Sequence, residues 1–551
     1  MKKQIILSKK SWIAKLKEKP NGLWEVLTAA KKHPPSSSTF DYNSVESLNK
    51  AFAENFSPAP NWLQLLKDVK CSDSDSSSAE NSWIFDITVE KMKNCLQSLK
   101  TSKAAGSDNF PPRLAKAAAE ELAGPLTHLT ALSVRFQQVP SHWKFAYVTP
   151  VPKCKNPSLR DFRPVSVLSV FSKVLEQFVS ESLKSAFIKS YGQHQFGFRP
   201  QHSTLHANIR IHDFVTSRMD DVNISGVIMI AFDMAKAFDK LNHHHLIMSL
   251  LHADLPKNFI LWCCDFLQNR HQRVNVRNIF SSSVPVTSGV PQGGKLSPFL
   301  FCIHMSSLLP FHDSAVISKY ADDVVILLPL TSLCLTERMI KSEIEHVKHW
   351  CDTHGLFLNE EKTKCMLFKR KSLSLTPSND VIFHDQIRIL GVIFSANLTW
   401  DAHVTDLCKR ETKRLYVLKR LQKYLTRDEL ILVYNATVLS VLEYNAPLIA
   451  GLNVKNCEKM EKVQRRCHRI ICGPECRCDR FMPLRLRREY QALKSFYKMR
   501  QSSNILSGLV VPSSLSHSQR TRFFIVPFIR TLFRHSSFIP FCTVLHNKLC
   551  K

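Results

Sequence analysis

Three aspartates lie where apolar segments of the sequence end. Asp233 follows the apolar run 226–232, and Asp322 and Asp323 form an acidic turn between two further apolar segments, at the predicted tip of a hairpin. Short apolar runs bounded by polar residues are typical of buried strands, so each carboxylate is expected at the rim of a sheet. Two adjacent carboxylates repel each other, which destabilises the fold unless cations bind there.

Each acidic position also has a structural interpretation. Asp233 could be a helix N-cap, a position where aspartate is common, and Asp322–Asp323 could be an exposed turn with solvated acids. Taken together, however, carboxylates from separate strands suit Mg²⁺, which prefers hard oxygen ligands. Two such ions about 4 Å apart can activate an attacking 3′-oxygen and stabilise the leaving pyrophosphate. The pattern therefore indicates a two-metal nucleotide polymerase.

A glycine-rich loop lies between the two acidic sites, at residues 288–298 (SGVPQGGKLSP). Its glycines let the backbone approach a ligand closely, and Gln292 offers an amide at the bend. A helix expected from about Pro298 would direct its N-terminus at phosphates or at backbone. A simple turn is the alternative interpretation of such a loop.

Asp239 is a further acid close to Asp233. On the continuous helix that the apolar spacing predicts after Asp233, a residue six positions later points about 240° around the axis. We therefore expect Asp239 to be structural and to lie outside the metal site.

The elements that position these residues are predicted from apolar periodicity. From residue 147 to about 394, short strands alternate with helices. After residue 400 the predicted helices carry a strong excess of Lys and Arg. Segments 34–38 and 71–82 are typical of linkers. The clearest predicted elements are helices at 45–56, 87–99 (with Thr88 as N-cap), 114–134, 337–353 and 408–424, and strands at 226–232 and 324–328.

Composition limits the classes of protein to consider. The chain has 551 residues, enough for two to four domains. Its 75 Lys and Arg against 46 Asp and Glu give a net charge of +29, which favours a nucleic-acid partner over a merely basic soluble protein. The 17 cysteines form no regular framework, so reduced thiols are expected. With no signal peptide and no apolar run of membrane-spanning length, we expect a nuclear or cytoplasmic protein that does not enter a membrane.

The motifs resemble a known family. Residues 231–239 (AFDMAKAFD), 289–293 (GVPQG) with 296–298 (LSP), and 320–323 (YADD) are similar, in this order, to motifs A, B and C of reverse transcriptases. The set covers roughly residues 100–400 and is closest in character to LINE-type (non-long-terminal-repeat) retrotransposons near the jockey and chicken-repeat groups. Flanking blocks agree with this resemblance: 160–166 (RDFRPVS), 195–199 (QFGFR), 355–359 (GLFLN) with 362–363 (KT), and 389–392 (ILGV) with 398–400 (LTW).

The resemblance implies an α+β right-hand polymerase, with fingers, a palm built on an antiparallel sheet, and a helical thumb. The implied reverse transcriptase domain covers about residues 134–400. The predicted regions are an N-terminal linker region (1–85), fingers with the start of the palm (86–225), palm (226–400), basic thumb (401–500) and an unassigned tail (501–551).

The resemblance also implies catalytic roles for individual residues. Asp233, Asp322 and Asp323 match the carboxylates that hold two Mg²⁺ ions, with Mn²⁺ as the alternative metal. Lys362 matches a lysine that protonates the leaving pyrophosphate, although a solvated lysine is the alternative. Leu390 and Gly391 match the primer-grip turn.

Four further residues match positions around the incoming deoxynucleotide. Lys153 and Arg163 match residues that hold its triphosphate, an arginine being suited to bidentate contact; plain surface positions are the alternative. Phe238 matches a steric gate against the ribose 2′-hydroxyl, and a core aromatic on the same face is compatible with that role. Gln292 matches a glutamine beside the nucleotide.

The expected partners are an RNA template, a DNA primer or target, and deoxynucleotides, and the oligomeric state is open. Proteins of this type usually carry an endonuclease before the polymerase, so the chain is expected to be a truncated copy. The alternatives are an inactive retroelement relic that at most binds nucleic acid, and an RNA-dependent RNA polymerase, which Phe238 disfavours. The cations expected along the template–primer backbone are Lys409, Arg410, Lys413, Arg414, Lys419 and Arg420.

Zinc binding is disfavoured for a cysteine-rich segment near the end of the basic region. The spacing of its ligand-type residues fits no common closed zinc site. These residues are Cys467, His468, Cys472, Cys476 and Cys478.

Overall fold

The computed structural model describes residues 41–71, 87–154, 156–332, 336–369, 381–474, 480–501, 504–511 and 529–549, with Phe524 and Val526. Its helices are α1 Tyr42–Ala53, α2 Trp62–Cys71, α3 Val89–Gln97, α4 Pro112–Ala117, α5 Ala119–Phe136, α6 Val170–Ser182, α7 Lys184–Ser190, α8 Thr204–Asp220, α9 Ala237–Lys240, α10 His243–His252, α11 Lys257–Leu267, α12 Ser297–His304, α13 Thr336–His354, α14 Asp401–Leu421, α15 Arg427–Tyr434, α16 Ser440–Leu442, α17 Val454–Cys472, α18 Leu484–Met499, α19 Leu532–His535 and α20 Phe538–Leu549. Its strands are β1 Phe145–Pro152, β2 Phe162–Leu168, β3 Gly226–Phe232, β4 Arg270–Val276, β5 Ile279–Phe280, β6 Val284–Val286, β7 Val316–Tyr320, β8 Asp323–Leu330, β9 Lys364–Lys369, β10 Gln386–Ile389 and β11 Val392–Ser395.

A four-stranded antiparallel sheet lies at the centre of the molecule, in the order β7-β8-β3-β9. Strand β3 is apolar along its whole length because both of its faces are covered. Ile228 and Ile230 belong to one hydrophobic core, whereas Val227 and Met229 belong to another. The period of two along a strand sends alternate side chains to opposite faces, so one strand stabilises both cores.

Helices cover the two faces of this sheet. On one face, Leu246 of α10, Phe301 of α12 and Val347 of α13 share the core of Ile228. On the other face, helices α8, α18 and α20 share the core of Val227, to which Phe496 and Ile539 contribute. Residues separated by more than 300 positions therefore stabilise one sheet.

A second sheet joins β2, β1, β4 and β5, with β6 paired to β4. Strands β1 and β2 are antiparallel, whereas β1 and β4 are parallel. Helix α1 covers this sheet, and the following loop is tied to the central part of the chain: Thr287 Oγ1 donates to Ser57 O at 2.7 Å. The packed apolar side chains are Val45, Leu48 and Phe52 of α1, with Val148, Phe162 and Val274 of the sheet.

The region after residue 400 is a bundle of helices with its own core. Helices α14 and α17 pack along each other, and Leu407, Leu418 and Met460 are buried between them. No helix of the described residues combines the length and the apolar character that a bilayer span requires.

The C-terminal segment is anchored on α8 by buried charges. Arg534 Nη1 lies 2.6 Å from Asp213 Oδ1, and both side chains are about nine-tenths buried. The carboxylate of Asp220 accepts hydrogen bonds from the backbone N–H groups of Arg530 and Thr531. The segment that the sequence leaves unassigned therefore contributes to the fold.

Most predicted elements are confirmed, with shifts of a few residues at their ends. The predicted N-cap is confirmed as well, since the Thr88 side chain accepts from the N–H of Lys91. The continuous helix predicted after Asp233 is wrong: Lys236 adopts a left-handed φ of 51°, α9 has only four residues, and α10 begins at His243. The predicted linker at 34–38, and all but Cys71 of that at 71–82, lie outside the described residues.

Candidate active site

Three carboxylates meet at one edge of the central sheet. In the antiparallel pair of β3 and β8, Phe232 pairs with Val324, so the next residue along β3, Asp233, lies beside Asp323. Strands β7 and β8 form a tight hairpin in which Tyr320 pairs with Asp323. Asp322 therefore lies at the hairpin tip, as predicted. The structure brings Asp233, Asp322 and Asp323 together.

The electrostatics of this edge disfavour three bare charges. The side chains of Asp322 and Asp323 reach solvent, but surrounding protein atoms reduce their hydration. This partial loss of hydration is the main cause that raises the pKa of Asp323 to about 6, and the negative charges of Asp322 and Asp233 add to it. Burial also raises the pKa of Asp322, and the Arg163 guanidinium partly opposes that shift. A site with these properties favours bound cations.

Asp233 is held by a loop and is not a helix N-cap. Its carbonyl oxygen accepts from the N–H of Asn359 at 2.8 Å, and the N–H of Ala235 donates to Phe357 O at 2.9 Å. The same loop supplies Lys362, whose Nζ lies 3.5 Å from Asp233 Oδ2 while its side chain stays 69% exposed. The N-cap interpretation of Asp233 is therefore wrong, and the predicted lysine lies at the carboxylates.

The acidic hairpin tip rests on a segment for which the sequence predicts no role. Gln195 Oε1 accepts from the N–H of Ala321 at 3.0 Å and from that of Gly197 at 2.9 Å. A Cβ on Gly197 would lie 2.7 Å from the backbone nitrogen of Ala321. Ala321 has a left-handed φ of 57°, a conformation that is unfavourable for alanine. Gln195 thus stabilises the turn that carries Asp322.

A buried lysine supports the same hairpin from β7. The Nζ of Lys319 donates to the carbonyl oxygens of Met305 and Leu308, at 2.7 and 3.0 Å. Burial lowers the pKa of Lys319 to about 7. The sequence gives no signal for this role, because a lysine in a strand usually faces solvent.

The glycine-rich loop packs closely on its neighbours. A Cβ on Gly289 would lie 2.6 Å from the carbonyl oxygen of Phe238, and one on Gly293 would lie 2.6 Å from that of Ser166. Both glycines have positive φ. The sequence predicted that these glycines allow backbone to approach a ligand. In the structure they allow two segments of the protein's own backbone to approach each other.

The side chain of Gln292 contacts an acid. Its Nε2 donates to Asp239 Oδ1 at 2.7 Å. Burial raises the pKa of Asp239 to about 6, and Gln292, Lys236 and Lys153 oppose that shift. Asp239 thus has an amide and two cations as neighbours. The argument that excluded Asp239 from the metal site assumed a continuous helix after Asp233, and that helix is wrong.

Helix α12 begins as predicted, and an acid of the protein lies just before its N-terminus. The buried carboxylate of Glu176 accepts from the backbone nitrogens of Lys295 and Leu296, at 2.7 and 3.1 Å. A side chain of the protein therefore lies at the helix start that was expected to face a phosphate or backbone.

Phe238 is half-buried between the two motifs. Its ring stacks on Phe301 with centroids 4.3 Å apart and an interplanar angle of 18°. Its carbonyl oxygen accepts from the N–H of Val290 at 2.9 Å. The core contact offered as the structural alternative for Phe238 is therefore present, and part of the ring stays accessible.

The predicted triphosphate cations lie on or beside the β1–β2 pair, and both are exposed. Arg163 interacts with Asp322, whereas Lys153 interacts with Asp239. The backbone N–H of Lys153 donates to Asp161 O at 2.8 Å. Each of these two cations therefore lies near enough to one acid to lower the pKa of that acid.

The predicted primer-grip turn lies beside the carboxylates. Asp233, Asp323 and Lys362 line the same pocket as residues 387–390. Leu390 and Gly391 connect β10 to β11 with left-handed φ values of 45° and 84°. The structure therefore brings the turn next to the carboxylates.

The donor chemistry fits hard divalent cations, since all three acids offer carboxylate oxygens. Within the described ranges, no three His, Cys, Asp or Glu side chains converge tightly enough to hold one ion. Mg²⁺ usually takes only one or two protein carboxylates and completes its shell with water and phosphates.

Of the residues for which zinc binding is disfavoured, Cys467 is buried in the bundle core, and Cys476 and Cys478 lie outside the described residues.

Comparison with known proteins agrees with this geometry. Residues 151–394 match the family described as Reverse transcriptase (RNA-dependent DNA polymerase). The chain carries a reverse transcriptase domain. All three carboxylates of the site lie within the matched segment. The sheet that bears them is antiparallel and is covered by helices, so the predicted α+β class is confirmed.

The relatives of this reverse transcriptase domain include retrotransposon proteins, as predicted. A probable RNA-directed DNA polymerase from transposon BS of Drosophila melanogaster is 28% identical over 407 residues, which are 70% of this chain and 44% of the relative. The RNA-directed DNA polymerase from mobile element jockey of the same organism is 25% identical over 408 residues, with the same two shares. The chain thus spans less than half the length of these relatives. An apo telomerase structure from Candida tropicalis superposes with a TM-score of 0.36 and 12% identity over 90% of each chain.

Proposed function

We propose that this chain is an RNA-directed DNA polymerase that adds deoxynucleotides to a primer 3′-hydroxyl. The observation that carries the proposal is the meeting of Asp233, Asp322 and Asp323 at one edge of the palm sheet, within a reverse transcriptase domain. Three acids in a concave site are costly for a protein that has no cation to bind.

Asp233, Asp322 and Asp323 would hold two Mg²⁺ ions, with Mn²⁺ as the alternative metal. Bound metal would lower the pKa of the primer hydroxyl and stabilise charge on the leaving pyrophosphate. Lys362, 3.5 Å from Asp233, is suited to donate its ammonium proton to that pyrophosphate. Its exposure leaves the ammonium free to move towards the leaving group.

The nucleotide would lie between the cations of the fingers and the motif A and B loops. Lys153 and Arg163 would bind its triphosphate, and Gln292 would contact it after exchanging or sharing its bond with Asp239. The Phe238 ring would exclude a ribose 2′-hydroxyl. Its stacking on Phe301 supports this role, because a gate must resist displacement.

The partners proposed are an RNA template and a DNA primer, held by the thumb. Among the predicted cations, Arg410 pairs with Asp406 and Arg414 with the buried Glu411. An exposed stripe at helical spacing runs along α14 and the turn that follows it, with the Arg420 guanidinium 5.8 Å from the Tyr416 ring. Aromatic and basic side chains in alternation suit a nucleic-acid backbone and its bases. The stripe consists of Lys409, Lys413, Tyr416, Arg420 and Lys423.

The proposed division into fingers (86–225), palm (226–400) and thumb (401–500) places these groups around one cleft. Residues 1–85 and 501–551 flank that division. Helix α1 packs on the sheet of β1, β2 and β4, and α20 belongs to the core on the α8 side of the central sheet.

Primer extension by the purified chain on an RNA template, with magnesium and deoxynucleotides, tests the proposal. We expect extension by the unchanged protein and none by Asp322→Ala. Asp428→Ala is the matched control, since this acid is 77% exposed on the helical bundle. Absence of extension with retained nucleic-acid binding would favour the alternative of an inactive relic.

A further inference from the structure

The phenol of Tyr444 joins two parts of the chain that are far apart in sequence. Its oxygen lies 2.8 Å from the carbonyl oxygen of Leu390 and 3.1 Å from the hydroxyl of Thr204. A carbonyl can only accept, so the single phenolic proton is donated to Leu390 and the Thr204 hydroxyl donates to the phenol. Tyr444 belongs to the helical bundle, Thr204 begins α8, and Leu390 belongs to the primer-grip turn.

The ring of Tyr444 also covers the primer-grip turn. A Cβ on Gly391 would lie 2.9 Å from its Cε1 atom, so the glycine leaves space for the ring. Leu390 and Gly391 both have left-handed φ values, and that conformation is unfavourable for leucine. A turn with such a residue needs an external restraint, and the Tyr444 phenol supplies one to the Leu390 carbonyl.

Tyr444 is itself held in place from both sides. The preceding residue, Glu443, pairs with Arg487 of α18, whose Nη2 lies 3.1 Å from Glu443 Oε2. The following residues, Asn445 with a φ of 54° and the fully buried Ala446, form a tight elbow. The phenol is therefore presented from a fixed point of the bundle.

The restrained turn faces the catalytic carboxylates. Residues 387–390 line the same pocket as Asp233 and Asp323. The phenol also lies near Tyr320, next to the tip of the acidic hairpin: burial, and next the Tyr444 phenol, raise the pKa of Tyr320. Tyr444 is thus close to both structures between which a primer end would lie.

We propose that Tyr444 is a positioning residue: it sets the height of the Leu390–Gly391 turn, and thereby the place of the primer 3′ end relative to the carboxylates. The inference rests on the proposed polymerase function. It assigns to a residue of the proposed thumb a role in the geometry of the primer end.

Tyr444→Phe keeps the ring over Gly391 and removes both hydrogen bonds, and Thr204→Val removes only the bond to α8. We expect Tyr444→Phe to raise the KM for primer–template about three- to tenfold, the effect expected from loss of the hydrogen bond to the Leu390 carbonyl. The KM for deoxynucleotide stays within about twofold, because the nucleotide contacts are untouched. Thr204→Val gives a smaller change of the same kind. Tyr490→Phe removes a phenol that is 66% exposed on α18 and changes neither constant.

Binding without nucleotides separates this inference from the polymerase proposal. Fluorescence anisotropy measures the affinity of the protein for two duplexes of equal length. One duplex has a recessed primer 3′ end, and the other is blunt. We expect the unchanged protein to prefer the recessed end and Tyr444→Phe to lose that preference about three- to tenfold. Equal preference and equal primer KM in the two proteins would overturn the positioning role. Absence of extension by the unchanged protein, with a preference that still depends on Tyr444, would contradict the polymerase proposal alone.

Discussion

At the residue scale, the three carboxylates depend on a side chain that lies far from them in the sequence. Asp233, Asp322 and Asp323 are recognisable because each follows or divides an apolar run, which is a local pattern. The Gln195 side chain that holds the hairpin tip lies 126 residues away in sequence. No periodicity indicates such a contact, so Gln195 entered the sequence analysis only as part of a family block.

Replacing Gln195 by methionine should disturb the hairpin tip. The change keeps the length of the side chain but leaves the N–H groups of Gly197 and Ala321 without an acceptor. An unsatisfied buried donor costs about 1–3 kcal/mol, and we expect a loss in the free energy of unfolding of that order. Urea unfolding measures it. Gln64→Met, on the exposed face of α2, is the control and should change stability by less than about 0.5 kcal/mol.

Phe238→Val tests the steric gate at the same scale. A smaller side chain leaves room for a 2′-hydroxyl, so incorporation of ribonucleotides relative to deoxynucleotides should rise by at least about tenfold. Competition between the two nucleotides in single-nucleotide extension measures this ratio. Phe301→Leu, which removes only the stacked partner, should change the ratio much less. An unchanged ratio in Phe238→Val would rule out the gate.

At the element scale, the clearest strands lie where their apolar patterns predict them, whereas one predicted helix is divided in the structure. Spacing after Asp233 predicted a continuous helix, but the left-handed backbone at Lys236 divides it. The bonds from 357–359 to Asp233 and Ala235 hold this segment extended. The C-terminal helices could not be placed from sequence because their anchors on α8 are more than 300 residues away.

Arg534→Met should weaken the anchor of the C-terminal segment. The change leaves the Asp213 carboxylate buried without its cation, and such a loss costs about 3–5 kcal/mol. Urea unfolding should show it, and the double variant with Asp213→Asn should recover part of the loss. Arg480→Met breaks an ion pair whose side chains are 60% and 77% exposed, and it should cost less than about 1 kcal/mol. Equal effects of the two arginine variants would refute a buried anchor.

At the scale of the whole molecule, buried histidines link stability to pH. Burial lowers the pKa of each to about 3 or 4, against an ordinary value of 6.5. These imidazoles are neutral in the folded chain but bind protons in the unfolded chain below about pH 6.5. The unfolded state therefore binds more protons there, and stability falls as the pH drops from 6.5 towards 4. The histidines are His206, His212, His243, His304 and His403.

Urea unfolding at pH 7.5, 6.0 and 5.0 checks this linkage. Each histidine contributes up to about 1.4 kcal/mol per pH unit below 6.5. His212→Gln should reduce the slope of the free energy of unfolding against pH by about the contribution of one histidine. His271→Gln, at an exposed position of β4, should leave the slope unchanged. A slope in His212→Gln equal to that of the unchanged protein would contradict the buried neutral state of this histidine.

The most direct test of the central claim compares four acids in single-nucleotide incorporation on an RNA template with magnesium. Asp233→Asn, Asp322→Asn and Asp323→Asn should each slow incorporation by at least about a hundredfold. Asp239→Asn should retain most of the rate, since asparagine can still accept the bond from Gln292. Full activity of Asp233→Asn or Asp322→Asn would contradict the proposed site.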